Sequence, residues 1–229
     1  MRVAFLLFPN VTQLDLTGPA QVLSRLGEDT RVDLVWKTRD PVPTDAGFSI
    51  LPTATFDEVG EADILCVPGG MGVNTVIADD AAVAWVARVG GAADWVTSVC
   101  TGSLILGAAG LLKGYRAGSH WAWRDMLPLF GAEPVAERVV LDRNRVTGGG
   151  VTAGIDFALT LTALIRGEAH AKMVQLAFEY DPAPPFDAGS PEGAGPDLVA
   201  AYRDRMERLA PGREAELRAL AARRGFTSA

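Results

Sequence analysis

The side chain best suited to chemistry in this sequence is Cys100, which lies in the stretch WVTSVCTGS. The apolar residues before it predict a short strand, and the run SLILGAAGLL after it predicts a buried helix. Ser98 and Gly102 flank the cysteine at two positions' distance, and both are small enough for strand and helix to meet at a tight turn. This is the pattern of a nucleophile elbow with sulfur in place of oxygen. The N–H groups and the helix dipole at such a turn favour a thiolate, which would make Cys100 a nucleophile. The alternative is that Cys100 is a small buried apolar residue, as most free cysteines are.

Asp15 is the candidate acidic partner of this cysteine. It lies in TQLDLTGP, near the predicted start of the first helix. Its carboxyl group either caps that helix or complements its dipole, or it faces Cys100 from the neighbouring loop. In the last case, like charge and loss of solvent would raise the pKa of the carboxyl group and make Asp15 a proton donor near neutral pH.

The loop PGGMG, residues 68–72, follows another short apolar run. Glycines there either satisfy a turn or leave backbone N–H groups free to orient a substrate. His120 precedes two tryptophans and either lies in a helix cap beside Ser119 or activates the cysteine. The tryptophans and Met71 either line an apolar pocket or belong to the core. The predicted substrate-binding residues are Gly70, Met71, Gly72, His120 and Trp121.

Composition excludes several classes of function. The net charge of −7 argues against nucleic acid and anionic membrane surfaces as partners. The two cysteines form no CxxC pair, and we expect Cys66, within the apolar run ILCV, to belong to the core. We find no clustered metal ligands, no GxGxxG and no P-loop, so we expect no cofactor. With no signal-peptide pattern and no membrane-spanning run, we expect a cytoplasmic protein.

Apolar runs alternate with helical patterns along the chain. We predict strands at residues 2–8, 31–37, 64–67, 95–99 and 116–117, and hairpins at 40–53 and 138–147. Helices are predicted at residues 13–26, 79–89, 103–112, 152–166 and 168–180, with another starting at 120–124. Residues 181–196 are rich in Pro and Gly and predict an extended surface segment. Residues 197–226 predict one or two surface helices, or an arm that packs on a partner subunit.

This alternation predicts an α/β fold with a mostly parallel central sheet and helices on both faces. The loops at residues 9–15, 68–72 and 100–102 each follow a strand, so we expect them to converge on one rim of the sheet. We predict one domain over residues 1–180. Residues 181–229 are then a Pro/Gly-rich segment and C-terminal helices that pack on the same domain or on a dimer partner.

The order of several motifs resembles the ThiJ/PfpI superfamily, which has the glutamine amidotransferase-like fold, and within it the isonitrile hydratase branch. The motifs are FLLFPNVTQLDLTGP, ILCVPGGMG, VTSVCTGSLILGAAGLLKG, GSHWAW and RVVLDRNRVTGGGVTAGIDFALTL. The resemblance covers about residues 1–180 and implies that Cys100 is the nucleophile, Asp15 the acid and Thr101 the residue beside the nucleophile. It also implies a homodimer that hydrates isonitriles to N-substituted formamides without a cofactor.

The sequence departs from other branches at informative positions. The protease-like branch carries His directly after the cysteine, where this chain has Thr101, and the deglycase-like branch uses Glu where this chain has Asp15. The branch it resembles usually has two threonines where this chain has Gly118 and Ser119. The alternatives are a glyoxalase- or amidase-like enzyme, a redox-sensing cysteine, or a ligand-sensing domain. Sensors of this kind usually precede a helix-turn-helix domain, for which residues 181–229 leave no room.

Overall fold

A computed structural model of the chain describes residues 1–226. The strands are β1 (Arg2–Leu6), β2 (Arg31–Trp36), β3 (Val42–Pro43), β4 (Ser49–Ile50), β5 (Ala54–Thr55), β6 (Ile64–Val67), β7 (Trp95–Ser98), β8 (Arg116–Ala117), β9 (Glu133–Pro134), β10 (Val139–Asp142) and β11 (Arg145–Gly148). The helices are α1 (Gln13–Leu23), α2 (Val73–Ala78), α3 (Asp80–Ala92), α4 (Gly102–Ala108), α5 (Ala153–Arg166), α6 (Glu168–Ala177), α7 (Pro191–Ala194), α8 (Pro196–Leu209) and α9 (Arg213–Arg223), with a 3-10 helix at Arg124–Phe130.

A seven-stranded sheet in the order β10-β11-β7-β6-β1-β2-β5 forms the centre of the molecule. All neighbouring strands in it are parallel except β10 and β11, which form an antiparallel hairpin at one edge. The central strand β6 is buried along its whole length, as its continuous apolar sequence requires for a strand covered on both faces. The predicted α/β fold with a mostly parallel sheet is therefore confirmed.

The helices cover the sheet in two packed groups. One group contains α1, α5 and α6, and the other contains α2, α3, α4 and α9. In the second group, the indole Nε1 of Trp85 donates to the Val59 carbonyl at 2.8 Å, which satisfies the one polar atom of a fully packed side chain. Cys66 is buried in β6 and touches the Thr97 hydroxyl, so its prediction as a core residue is confirmed.

Several predicted elements differ from those observed. The helix predicted to start at residues 120–124 is instead a 3-10 helix that begins at Arg124, because the Ser119 hydroxyl donates to the Cys100 carbonyl and does not cap a helix. Helix α1 ends at Leu23 and α6 at Ala177, each short of its predicted end. Glu179, with φ of 49°, carries the chain away from the helical direction after α6. The two predicted hairpins and the strand at residues 116–117 are confirmed.

The C-terminal region is more ordered than its composition predicts. The predicted extended segment at residues 181–196 contains the short helix α7, which begins at Pro191 with Ser190 as its cap. Residues 197–226 form two helices, and Leu217, Leu220 and Ala221 of α9 are buried against the domain. Residues 227–229 of the predicted C-terminal segment lie outside the described part. No helix over residues 1–226 combines the length and apolar character needed to cross a membrane.

Candidate active site

Cys100 lies at a sharp turn between β7 and α4. Its φ of 55° is in the left-handed region, which residues other than glycine seldom adopt and which is typical of a strained nucleophile elbow. The backbone of the turn is held on both sides. The Cys100 N–H donates to the Gly149 carbonyl at 2.7 Å, and the Cys100 carbonyl accepts from the Ser119 and Ser103 hydroxyls at 3.0 and 3.3 Å. These contacts hold an unfavourable backbone conformation in place.

Gly102 explains why the elbow needs a small residue on its helical side. A Cβ atom at this position would lie 2.0 Å from the Val67 carbonyl oxygen and 2.7 Å from that of Pro68. These are backbone atoms at the end of β6, so they cannot yield as a flexible side chain would. On the strand side, Ser98 is fully buried. The sequence argument from small flanking residues therefore corresponds to a real close approach of α4 to the end of β6.

Asp15 lies next to the cysteine, inside the protein. It is fully buried, and its Oδ2 accepts a hydrogen bond from the Gly69 N–H at 2.9 Å. Its Oδ1 accepts no hydrogen bond from the described residues. The Cys100 thiol is nevertheless close enough to affect the carboxyl group. Burial raises the pKa of Asp15 to about 7, while the hydrogen bond from the Gly69 N–H and the nearby Cys100 thiol lower it. Asp15 does not cap α1, but it lies in the first turn of that helix, where its charge also complements the helix dipole.

The electrostatics of Cys100 differ from the prediction. Burial raises the pKa of its thiol well above the usual range, and the negative charge of Asp15 raises it further. Hydrogen bonds from the N–H and hydroxyl groups of Thr101 act in the opposite direction but do not prevail. The expectation that the elbow favours a thiolate is thus wrong for the resting site. It counted the helix dipole and the N–H groups, but not the loss of solvent around the thiol.

The glycine loop supports the site in a different way from the one predicted. The Gly69 N–H is used by Asp15, and the Gly70 N–H donates to the Thr101 hydroxyl at 3.1 Å, so neither is free to orient a substrate in this structure. The Gly72 N–H donates to the Asn10 carbonyl. Gly70 has a φ of 137°, which an L side chain rarely adopts. The loop therefore buttresses Asp15 and Thr101 with its backbone.

His120 and Trp121 follow Ser119, which bonds the Cys100 carbonyl, and they line cavities that Cys100, Asp15 and Thr101 do not line. The His120 Nδ1 accepts from the Ala122 N–H at 3.2 Å. Burial lowers the pKa of His120 to about 4, and the positive charge of Arg213 contributes to the same shift, so the ring is neutral at physiological pH. Trp121 lines two adjoining cavities of about 460 and 480 Å³, and His120 lines the larger one. Cys100 itself is only 6% exposed. Met71, from the glycine loop, is partly exposed and contacts Arg213.

Two side chains near the cysteine come from the C-terminal helices and had not been predicted from the sequence. Tyr202 of α8 stacks against the His120 ring with centroids 6.0 Å apart, and Arg213 of α9 is largely buried beside the glycine loop. Both are close enough to Cys100 for its charge to influence them. The only sequence signal for this arrangement is the break at Pro211 and Gly212, which sets where α9 begins.

Comparison with known proteins agrees with this geometry. A model of the DJ-1/PfpI family matches residues 1–164. The chain belongs to the DJ-1/PfpI family. An isonitrile hydratase from Pseudomonas putida is 52% identical over 205 residues, which cover 90% of each chain. The crystal structure of a ThiJ/PfpI family protein from Pseudomonas syringae superposes with a TM-score of 0.88 at 46% identity, over 96% of this chain and 90% of that one. The predicted family membership is confirmed.

The chain is also similar to transcriptional regulators. The HTH-type transcriptional regulator GbdR from Pseudomonas aeruginosa is 28% identical over 186 residues, which cover 78% of this chain but only 50% of the regulator. The isonitrile hydratase from Pseudomonas putida, by contrast, matches this chain over 90% of the length of both proteins. The full-length similarity therefore favours an enzyme over a regulator's sensing domain.

Proposed function

We propose that this DJ-1/PfpI protein is an isonitrile hydratase, a lyase that converts an isonitrile and water to an N-substituted formamide without a cofactor. The observation that carries the proposal is the buried pair formed by Asp15 and Cys100 at the elbow, in a chain 52% identical to an isonitrile hydratase. Hydration of an isonitrile requires a nucleophile and a proton at the same carbon. A thiol beside a carboxyl group whose pKa is raised to about 7 supplies both.

The proposed reaction begins with the pair carrying one proton, on either the Cys100 sulfur or the Asp15 carboxyl group. The sulfur attacks the terminal carbon of the isonitrile, and the shared proton passes through Asp15 to that same carbon. The product is a thioimidate, R–N=CH–S, on Cys100. Water then adds across the C=N bond, so that the carbon gains a hydroxyl group and the nitrogen gains a proton. Loss of the thiol, with transfer of the hydroxyl proton through Asp15, releases the formamide R–NH–CHO.

Other residues support this reaction by position. Thr101 follows the cysteine directly, and its N–H and hydroxyl groups favour negative charge on the sulfur as the thiol ionises. For Gly70, Met71 and Gly72 we retain the proposal that they shape one side of the substrate site, although Gly70 and Gly72 do so without free N–H groups. Neutral His120 and Trp121 form the opposite, largely aromatic side, which suits an apolar R group.

The proposal is tested by formamide production from a panel of alkyl and aryl isonitriles, followed by NMR. The Cys100→Ala variant should lose turnover entirely. Cys66→Ala, at a thiol that burial holds inert with a pKa of about 12, is the matched control and should retain activity. Methylglyoxal and small amides assayed side by side would identify a glyoxalase- or amidase-like enzyme instead. Full activity in the Cys100→Ala protein would exclude the scheme.

A redox-sensing role for Cys100 is less consistent with the structure. Sensor cysteines are exposed and have a low pKa, whereas this thiol is buried and its pKa is raised. Oxidation of Cys100 in a protein with no turnover of any isonitrile would nevertheless favour that role.

We also propose that the protein acts as a homodimer. Of the ten large apolar side chains that are exposed within residues 1–226, seven lie in the second half of the chain, and a dimer interface would cover some of them. They are Leu141, Leu164, Met173, Leu176, Phe186, Leu198 and Leu209. Size-exclusion chromatography with light scattering tests the dimer.

The division into residues 1–180 and 181–229 remains a prediction. Contacts of α9 with α2 support packing of the C-terminal helices on their own domain. The cytoplasm remains the predicted compartment.

A further inference from the structure

Arg213, the first residue of α9, places a guanidinium group inside the protein beside the candidate active site. Only 8% of the residue is exposed. Its Nη2 donates to the Gly70 carbonyl at 2.8 Å, its Nη1 contacts the Met71 sulfur at 3.2 Å, and the group lies 4.7 Å from the centre of the Trp123 ring. The C-terminal helix thus delivers a positive charge to the glycine loop.

Within residues 1–226, no carboxylate forms a salt bridge with this charge. The salt bridges found within residues 1–226 do not include Arg213. Glu216, one turn further along α9, accepts a hydrogen bond from Asn74 at 2.7 Å, and Asn74 also donates to the Arg213 carbonyl at 3.0 Å. Burial of a charge without a close opposite charge is costly, so its presence calls for a compensating interaction.

The backbone of Gly70 links Arg213 to the catalytic turn. Its carbonyl accepts from Arg213, and its N–H donates to the Thr101 hydroxyl at 3.1 Å. The adjacent Gly69 N–H holds Asp15. A guanidinium bonded to the Gly70 carbonyl restrains the short loop that carries both of these N–H groups. Arg213 therefore acts on the groups on either side of the cysteine.

We propose that Arg213 is a positioning residue of the active site, which fixes the glycine loop through the Gly70 carbonyl and whose charge favours the ionised form of Cys100. The proposal rests on Cys100 being the nucleophile of the proposed reaction. It assigns a role to the C-terminal region, in which α9 completes a site built on the family domain.

The charged and titratable groups around the cysteine come from several elements. Asp15 of α1 opposes ionisation of the thiol, and Tyr202 of α8 and Arg213 of α9 also lie within range of its charge. Arg213 in turn faces Tyr202, Glu216 and His120, of which His120 is neutral near pH 7 because its pKa is about 4. Arg213 is the positively charged group among them, and it is held beside the cysteine by the Gly70 carbonyl.

The test measures ionisation of Cys100 directly, through the rate of alkylation by iodoacetamide as a function of pH. Mass spectrometry of the labelled peptide separates Cys100 from Cys66. Arg213→Gln keeps an N–H donor for the Gly70 carbonyl but removes the charge. We expect it to raise the midpoint of the alkylation profile by about one pH unit, which is about a tenfold slower reaction at a fixed pH below the midpoint. Arg213→Met should raise the midpoint at least as much.

Two controls separate charge from structure. Arg213→Lys keeps the charge and should leave the midpoint close to that of the unaltered protein. Arg218→Gln removes a positive charge from an exposed position of the same helix, where it pairs with Glu214, and should not shift the midpoint. An unchanged midpoint in a folded Arg213→Gln protein would overturn the proposal. Failure of both neutral variants to fold would make Arg213 a structural anchor and would also overturn it. Because alkylation needs no isonitrile, this result is independent of whether the substrate is correctly assigned.

Discussion

Asp15 accepts a hydrogen bond of 2.9 Å from the backbone N–H of Gly69, 54 residues further along the chain. This contact joins the first turn of α1 to the loop after β6 at the carboxyl edge of the sheet. It stabilises the ionised form of a buried carboxyl group, which burial would otherwise keep protonated. The two opposing effects bring the pKa of Asp15 to about 7. A group with that pKa can both accept and return a proton under physiological conditions.

The pH dependence of kcat/KM should report this pair. The proposed reaction starts from Asp15 and Cys100 sharing one proton. The pair reaches that state when Asp15 first ionises, at a pKa of about 7, and keeps it until Cys100 ionises at a much higher pH. We therefore expect kcat/KM to rise with pH through a midpoint near 7 and then to stay level. A profile that falls through the same midpoint would mean that the reactive form carries two protons.

Asp15→Asn should reduce kcat/KM by about 100-fold or more, the usual range for loss of an acid–base group, and remove the rise near pH 7. Asp45→Asn is a matched control, because the negative charge of Asp45 contributes to raising the pKa of Asp15. This variant should remain active, with the midpoint of its profile moved to lower pH. If the Asp15→Asn protein keeps the rise near pH 7, the titrating group lies elsewhere.

Asp15 should also make stability depend on pH. Its pKa is higher in the folded protein, about 7, than its ordinary value of 3.8, so the folded state binds more protons between these values. The free energy of unfolding therefore falls as pH rises from about 4 to 7, by up to roughly 4 kcal/mol for this group. Urea unfolding at several pH values should show a smaller fall in Asp15→Asn. An equal fall in both proteins would show that Asp15 does not titrate in this range.

The sequence was sufficient to predict the elbow and its rim. Cys100 sits in a local strand–turn–helix pattern, and loops that follow parallel strands must meet at one edge of the sheet. The contacts among the loops at residues 9–15, 68–72 and 100–102 confirm that convergence. The same reasoning could not show that the Gly70 N–H is used by Thr101. Hydrogen-bond partners within a rim depend on loop geometry, which composition does not fix.

Arg213 and Tyr202 could not be placed from the sequence for a different reason. Both lie in amphipathic helices after a Pro- and Gly-rich segment, and such helices can pack on their own domain or on a partner. Which surface they cover depends on complementary packing over many residues, such as the contacts of Asn74 with α9. The pKa of the Cys100 thiol was wrongly predicted to be lowered for a similar reason. Burial, which raises it, depends on the same packing.

Asp33, in the inner strand β2, should contribute to stability. Its buried carboxylate accepts from Arg2 Nε at 2.7 Å and from Arg31 Nε at 2.9 Å. Asp33→Ala leaves two arginines without their partner, and we expect a loss of about 2 kcal/mol in the free energy of unfolding, because both arginines keep access to water. Glu58→Ala breaks an exposed pair with Arg39 and should change stability little. Equal losses in the two variants would contradict the importance of burial.

Gly102 should be the least replaceable glycine of the elbow. A Cβ atom there would lie 2.0 Å from the Val67 carbonyl oxygen, so α4 could begin only if it moved away from β6. We expect Gly102→Ala to lower the free energy of unfolding by about 3 kcal/mol or more and to abolish turnover, because Cys100 moves with the turn.

Gly91→Ala is the matched control for Gly102→Ala. Gly91 lies in α3, and no side chain or other segment within residues 1–226 comes within 4 Å of where an alanine methyl group would lie, so alanine should raise stability by about 0.5–1 kcal/mol. Thermal and urea unfolding of the two variants would check both signs, and a stable, active Gly102→Ala protein would show that the elbow can accommodate a side chain on its helical side.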